Sequence, residues 1–192
     1  HSEFIMVNEG RMGKSEGNLI TLEELKTKGY SPLSYRYFVL QGHYRSKLNF
    51  TLEALTGSQN ALHNLYSALA SFSEGSIGCA EYQKEFFAAM NDDLDTPRAL
   101  AVMWQMLDSD YPGEAKFASL IEFDKVLGLS LRDTWEKLRL PIPEEITTLV
   151  KRRETLRTSE KWEEADEIRK QIETQGYRID DEPEGSRVRK QV

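Results

Sequence analysis

The chain has 192 residues, 25 Lys and Arg against 32 Asp and Glu, a net charge of −7, and 39% hydrophobic residues, which is a globular composition and neither a disordered nor a fibrous one. No apolar run approaches the roughly 18 residues of a membrane-spanning helix. A single cysteine, Cys79, allows no internal disulfide and no charged-then-apolar leader opens the chain, which argues against a secreted scaffold and for a reducing cytoplasm. The charge is uneven: Glu81 to Glu136 holds twelve acidic and five basic residues, whereas Arg11 to Lys47 holds seven basic and three acidic. Net acidity therefore does not exclude a nucleic-acid partner, because binding depends on where the charges lie.

In chain order, Phe4 to Val7 reads as a buried strand entering a turn at Asn8 to Gly10. With the sequence starting at His1, no partner for that strand is evident, so Phe4, Ile5 and Val7 are expected to be exposed. Thr21 and Glu24 have capping-box spacing and Gly29 supplies a stop, predicting a helix over 22–28. Ser31-Pro32 opens a second helix, through Tyr37, Phe38 and Leu40 towards Gly42. From Leu52 to Phe72 the apolar residues follow helical spacing, and a loop at 73–78 ends the run. Tyr82, Phe86, Phe87 and Met90 mark the next helix. Thr96-Pro97, an N-cap followed by Pro, opens another through Trp104 and Leu107. After a break at Pro112-Gly113, Ala118, Ile121, Val126 and Leu127 indicate a helix stopped by Gly128. These pieces predict a mainly α protein built on an antiparallel helical bundle.

Leu140-Pro141-Ile142-Pro143 reads as a stiff extended linker, because each Pro pushes its predecessor out of helical geometry. Beyond it Ile146, Leu149, Val150 and Leu156 mark one helix, and Trp162, Ala165, Ile168 and Ile172 a second that Gly176 stops. Tyr177 to Ile179 and Ser186 to Val192, around a turn at 181–185, predict a hairpin and so a small α+β unit. Trp104 and Trp162, on apolar helical faces, are expected in cores. Asp92, Asp93 and Asp95 lack calcium-loop spacing and read as an acidic turn. His43 and Tyr44 could stack on a base or pack at a junction. Lys151, Arg152 and Arg153 read as a solvated helix face, with Arg153 as a possible phosphate contact.

Gly13-Lys14-Ser15 invites a Walker A reading, but that motif needs a glycine at position 8, which is Asn8. A glycine-rich turn can still carry a lysine to charge developing on a transferring phosphate. Arg11-Met12-Gly13-Lys14-Ser15-Glu16-Gly17-Asn18 resembles the Lys-Met-Ser-Lys-Ser loop of class I aminoacyl-tRNA synthetases, followed by the Gly-Asn of the cysteine-specific branch. Three further blocks resemble cysteinyl-tRNA synthetases: Tyr37 to Leu40 with His43-Tyr44-Arg45-Ser46 and Leu48-Asn49-Phe50; Met90 to Pro97 with Ala99-Leu100-Ala101; and Arg153, Lys161-Trp162, Ala165-Asp166, Ile168-Arg169, Asp180-Asp181 and Gly185. The four blocks occur in order over about 10–189.

The resemblance implies ATP-dependent activation of cysteine and its transfer to tRNA(Cys). It implies a division into the end of a catalytic domain over 1–50, a helical-bundle tRNA-binding domain over 51–140, and a small anticodon-reading unit over 141–192. Lys14 matches the motif's second lysine and would stabilise phosphates, Arg11 keeps the charge of the first, and Met12, Gly13 and Ser15 complete the ATP-binding loop. Gly13 stands where the motif has serine, which removes a hydroxyl. The family's His-Ile-Gly-His motif and its Cys, His and Glu zinc ligands would lie upstream. The chain therefore reads as a C-terminal fragment, expected to be inactive alone and without a metal: zinc belongs to the parent, and Cys79, His1, His43 and His63 show no ligand spacing. The implied tRNA contacts are Arg45 and Lys47 near the acceptor side, Arg153, and Arg187, Arg189 and Lys190 at the anticodon end. Val188 replaces a usual tryptophan, removing or moving a stacking contact. The expected partners are tRNA(Cys) and ATP, with no membrane, in a cytoplasmic monomer. Two rivals are a fragment of the cysteine ligase of mycothiol synthesis, which should lack the 165–185 block, and a helical protein-interaction module without an RNA role.

Overall fold

The computed structural model describes residues 3, 5–7, 10–11, 13, 19–182 and 185–190, with Arg11 and Glu182 described by backbone alone. The elements in order are β1 (Ile5–Val7), β2 (Gly10–Arg11), α1 (Leu22–Thr27), α2 (Pro32–Leu40), β3 (Leu48–Phe50), α3 (Leu52–Ala70), α4 (Ala80–Asn91), α5 (Thr96–Asp108), α6 (Gly113–Leu127), α7 (Leu131–Arg139), α8 (Glu144–Thr158), α9 (Trp162–Thr174), β4 (Tyr177–Glu182) and β5 (Gly185–Lys190). The chain forms two compact units, 1–135 and 136–192.

The first unit begins with a small sheet, order β2-β1-β3, in which β1 pairs antiparallel with β2 and parallel with β3. The strand expected to lack a partner therefore has two. Val7 is buried with Leu25, Phe38, Phe50 and Leu55, and Ile5 packs against that cluster; Phe4 lies outside the described residues. The helices that follow obey their local signals. Thr21 Oγ1 accepts from the Glu24 N–H at 3.2 Å and Glu24 Oε2 accepts from the Thr21 N–H at 2.8 Å, closing the box that starts α1. Ser31 caps α2 through the Leu33 N–H, with Pro32 in the first turn.

The bundle core gathers Leu62, Leu65, Phe86, Met103, Leu120 and Phe123 from α3 to α6, with Phe86 stacked on Phe123 at 4.0 Å. Trp104 lies at its edge, donating from Nε1 to the Tyr37 hydroxyl at 2.8 Å. In α6 the buried face is Phe117, Leu120, Phe123 and Leu127, so Val126, expected inside, lies on the exposed side. Gly128 takes the left-handed conformation, φ 63°, that ends α6, as a residue without Cβ does readily. At α5 the cap is Asp95, which accepts from the Arg98 N–H at 3.1 Å, one residue before the expected Thr96. Helix α7 was not apparent in the sequence. Its start is set from α6, where the Asp124 carboxylate accepts from the N–H groups of Leu129 and Leu131 at 2.5 and 2.8 Å.

In the second unit Ile146, Val150, Ile168, Ile172 and Ile179 form the core, with Val188 packed against it. Trp162 overturns the expectation of a core residue: it is 57% exposed. It is the first residue of α9, and a helical side chain covers the turn before its own, which here does not exist.

Candidate nucleic-acid interface

Arg11 lies on β2 opposite Met6, and Gly13 follows it. Met12, Lys14 and Ser15 lie outside the described residues, as does the Arg11 side chain.

Between α2 and β3 the turn of Arg45 and Lys47 is exposed. Arg45 is anchored to a second turn, the one between α4 and α5: its Nη2 donates to Asp93 Oδ1 at 3.0 Å and its Nε to the Tyr44 hydroxyl at 2.8 Å. Tyr44 donates to the same carboxylate oxygen at 2.6 Å, and His43 Nε2 lies 3.1 Å from the Asp93 carbonyl. The His43 and Tyr44 rings lie against each other at a tilt of 30°, with centroids 4.8 Å apart. The Tyr44 hydroxyl, then Arg45 and His43, hold the Asp93 carboxyl below its usual range. Asp93 and Leu94 are both left-handed, φ 54° and 56°, a conformation non-glycine residues adopt at a cost. The acidic turn of the sequence is thus a strained loop tied to Arg45.

In the second unit, two neighbours on α8 grip a cross-strand pair of the hairpin. Arg153 donates from Nη1 and Nη2 to the Asp181 carboxylate at 2.7 and 3.0 Å and from Nη1 to Ser186 Oγ at 3.1 Å. Glu154 Oε1 accepts from the Ser186 N–H at 2.8 Å, and Asp181 and Ser186 are register partners. Arg157 pairs with Oδ2 of the same carboxylate, the oxygen that also accepts from Arg153 Nη2. Arg153, and after it Arg157, hold the Asp181 carboxyl far below its usual range. The Arg153 side chain is 3% exposed. It lies inside the clamp, and not on a solvated helix face. Its Nε is buried without a hydrogen-bond partner among the described residues.

The hairpin sorts the other expected residues by face. Ile179 and Val188 pair inward against the core, so position 188 is a packing site and not a stacking one. Lys190, on the same face by alternation, donates from Nζ to the carbonyls of Lys137 and Leu140 at 2.6 and 2.8 Å. Arg187 and Arg189 lie on the opposite, exposed face. Arg178, absent from the sequence reading, is Arg189's register partner there. Its signal was the two-residue period of a strand, which had to be continued across the turn.

Residues 1–60 match the family model described as the class I (C) tRNA synthetase catalytic domain, and residues 141–189 match the cysteinyl-tRNA ligase anticodon binding domain. Cysteine–tRNA ligase 1 of Burkholderia lata is 38% identical over 189 residues, covering 98% of this chain and 40% of that protein. The cysteine–tRNA ligases of Opitutus terrae and Hamiltonella defensa are 38% and 36% identical, covering 96% and 99% of this chain and 40% and 44% of theirs. The chain is homologous to the C-terminal part of the cysteinyl-tRNA synthetases. It spans less than half the length of these curated relatives. The synthetase anticodon-domain match takes in α8, α9 and the hairpin, and with them the whole Arg153 and Asp181 clamp. The synthetase catalytic-domain match takes in β1 to β3 and the Arg45 turn.

Among the described residues no group of three His, Cys, Asp or Glu side chains could hold a metal ion, and Cys79 is wholly buried. Among the same residues no helix is long and apolar enough to cross a membrane.

Proposed function

We propose that this chain is the tRNA-binding part of a ligase that activates cysteine with ATP and esterifies it to tRNA(Cys), working in the cytoplasm as a monomer. The observation that carries this reading is the anticodon-binding-domain match over 141–189, a stretch whose structure presents an exposed tryptophan and exposed arginines. That match also favours a tRNA ligase over an amino-sugar ligase or a helical interaction module. The proposed division is a catalytic end over 1–50, a helical bundle over 51–140 and an anticodon unit over 141–192. In the first part Arg11, Met12, Gly13, Lys14 and Ser15 would face the phosphates of ATP, with Lys14 offsetting charge on the transferring group.

Arg45 and Lys47 would meet the RNA backbone near the acceptor side, Arg45 being pre-set by Asp93 and Tyr44. In the anticodon unit Arg187 and Arg189 would contact phosphate. Arg153 and Lys190 serve the same end from within, by holding the hairpin. Trp162 offers an unstacked base a flat, exposed platform, worth about 1–3 kcal/mol per base stacked.

Binding of the 192-residue chain to a tRNA(Cys) transcript, and to the same transcript with its anticodon changed, over a salt series tests the reading. Tighter binding of the unchanged transcript at moderate salt is expected. Equal affinity for both would remove the anticodon role and leave backbone binding only.

A further inference from the structure

We propose that the cleft between α2, the start of β3 and the α4–α5 turn takes one unstacked RNA base that carries an exocyclic amino group, with the adjoining phosphate on Arg45. This rests on the tRNA-binding reading and names what the Arg45 turn would read in the RNA.

The cleft lies within the first unit and has a volume of about 220 Å³. Its apolar wall is built from Val39 and Leu40 of α2, Leu48 of β3, Ile5 of β1 and Leu94 of the α4–α5 turn. Two of these are left in water, Val39 at 38% and Leu94 at 55% exposure. Leu94 is held at the cleft by its left-handed backbone, φ 56°, a conformation that costs energy and that clusters at ligand sites.

Aromatic and polar groups complete the lining, the usual make-up of a ligand cleft. His43 and Tyr44 belong to it, and both are pinned. His43 Nδ1 accepts from the Arg45 N–H at 3.2 Å, its Nε2 lies 3.1 Å from the Asp93 carbonyl, and the Tyr44 hydroxyl donates to the Asp93 carboxylate. Rings fixed in advance lose less freedom when a ligand arrives, and unstacked bases are held on such rings and by bonds to their edges. The edge partners here are Ser46 and Glu3, which also line the cleft. A carboxylate accepts from the amino group of cytosine and opposes the carbonyl that uracil presents in its place. Arg45 supplies the charge for the phosphate. Its bonds to Tyr44 and Asp93 leave from Nε and Nη2, so the Nη1 side of a guanidinium that is 65% exposed is turned away from them, towards a phosphate oxygen. A cation beside the cleft and a carboxylate within it suit a nucleotide better than an apolar side chain of another protein.

The probes are a short oligocytidylate, a short oligouridylate and the tRNA(Cys) transcript, each titrated by fluorescence anisotropy against the 192-residue chain and its variants over a salt series. The parent chain should bind oligocytidylate several-fold more tightly than oligouridylate. Val39→Phe, which fills the cleft from an exposed position, should weaken oligocytidylate binding about ten-fold, the worth of one stacked base, and leave the slope of log affinity against log salt unchanged. Arg45→Gln should make that slope shallower by about 0.7, the loss of one single-strand phosphate contact. Glu3→Gln, at an exposed residue, should bring the two oligonucleotides level; should Val39→Phe melt below the parent chain, Glu3→Gln decides alone. Equal binding of the two oligonucleotides by the parent chain, or a preference that survives Glu3→Gln, overturns the proposal. The transcript is scored separately. Transcript binding without the cytidine preference removes the cleft and leaves the tRNA-binding reading standing, and the preference without transcript binding does the reverse.

Discussion

Arg153 places both terminal nitrogens on the carboxylate of Asp181, at 2.7 and 3.0 Å, from a side chain that is 3% exposed. The carboxylate itself is 39% exposed, so the pair is buried on one side and wet on the other. A buried cation needs its partner far more than an exposed anion does.

Arg153→Ala should therefore be costly to the second unit. Breaking a fully buried pair costs about 3–5 kcal/mol, and the exposure of Asp181 reduces this to roughly 2–3 kcal/mol. Urea unfolding followed by circular dichroism checks it. A loss under about 0.5 kcal/mol would show that the hairpin does not depend on the clamp.

Acid should act through the same carboxylate. Its folded-state pKa lies well below the unfolded value, which is about 3.9. Below pH 4 the unfolded chain thus binds the extra proton, and stability rises with pH there. The contribution is complete above about pH 5 and is lost as the pH falls from 4 towards the folded value. Asp181→Asn should flatten that acid limb while leaving the variant less stable at pH 7. An unchanged acid limb would remove Asp181 from the account.

At the alkaline end the relevant group is Tyr66. Its hydroxyl donates to the Leu129 carbonyl at 2.8 Å in a buried setting, and burial pushes its pKa up to about 12. The unfolded chain loses this proton near pH 10, so stability should fall between about pH 10 and 12. Tyr66→Phe should weaken that fall and cost about 1 kcal/mol at pH 7, the net worth of one hydrogen bond. Thermal melts of both proteins at pH 7, 10 and 11 measure the two effects together.

The left-handed Leu94 gives an opposite prediction. Its side chain is more than half exposed and its φ is 56°. Leu94→Gly removes a steric penalty of about 1–2 kcal/mol and adds a backbone-entropy cost of about 0.5–1 kcal/mol. The variant should be as stable as the parent or up to about 1.5 kcal/mol more stable. A drop in stability of over 1 kcal/mol would mean that the side chain, and not the backbone, holds this turn.

Elements whose signals are local were legible in the sequence. The Thr21 and Glu24 box, Ser31-Pro32 and Gly128 each act within a few residues, and each does in the structure what its chemistry dictates. Helix α7 escaped because its buried residues, Leu131 and Trp135, are only one turn apart and its cap comes from Asp124 in the preceding helix. The partners of β1 escaped because a three-residue strand carries no mark of its pairing with Leu48 to Phe50. At the site, the basic residues were visible as charges. What each charge faces is a tertiary fact, so Asp181 opposite Arg153 and the carbonyls under Lys190 were not.

The parallel pairing of β1 with β3 has a kinetic consequence. Antiparallel neighbours close through a short turn, but a parallel pair needs a crossover, and here the crossover carries α1 and α2. During synthesis Met6 and Val7 can pair locally with Gly10 and Arg11, but the pairing of Ile5 to Val7 with Leu48 to Phe50 waits until that segment has emerged, with loop-closure entropy lost before those contacts repay it. The β1 strand is thus made before β3 and docked on it late, and in refolding pulses the backbone amides that bridge β1 and β3 should be protected only after α1 and α2 are.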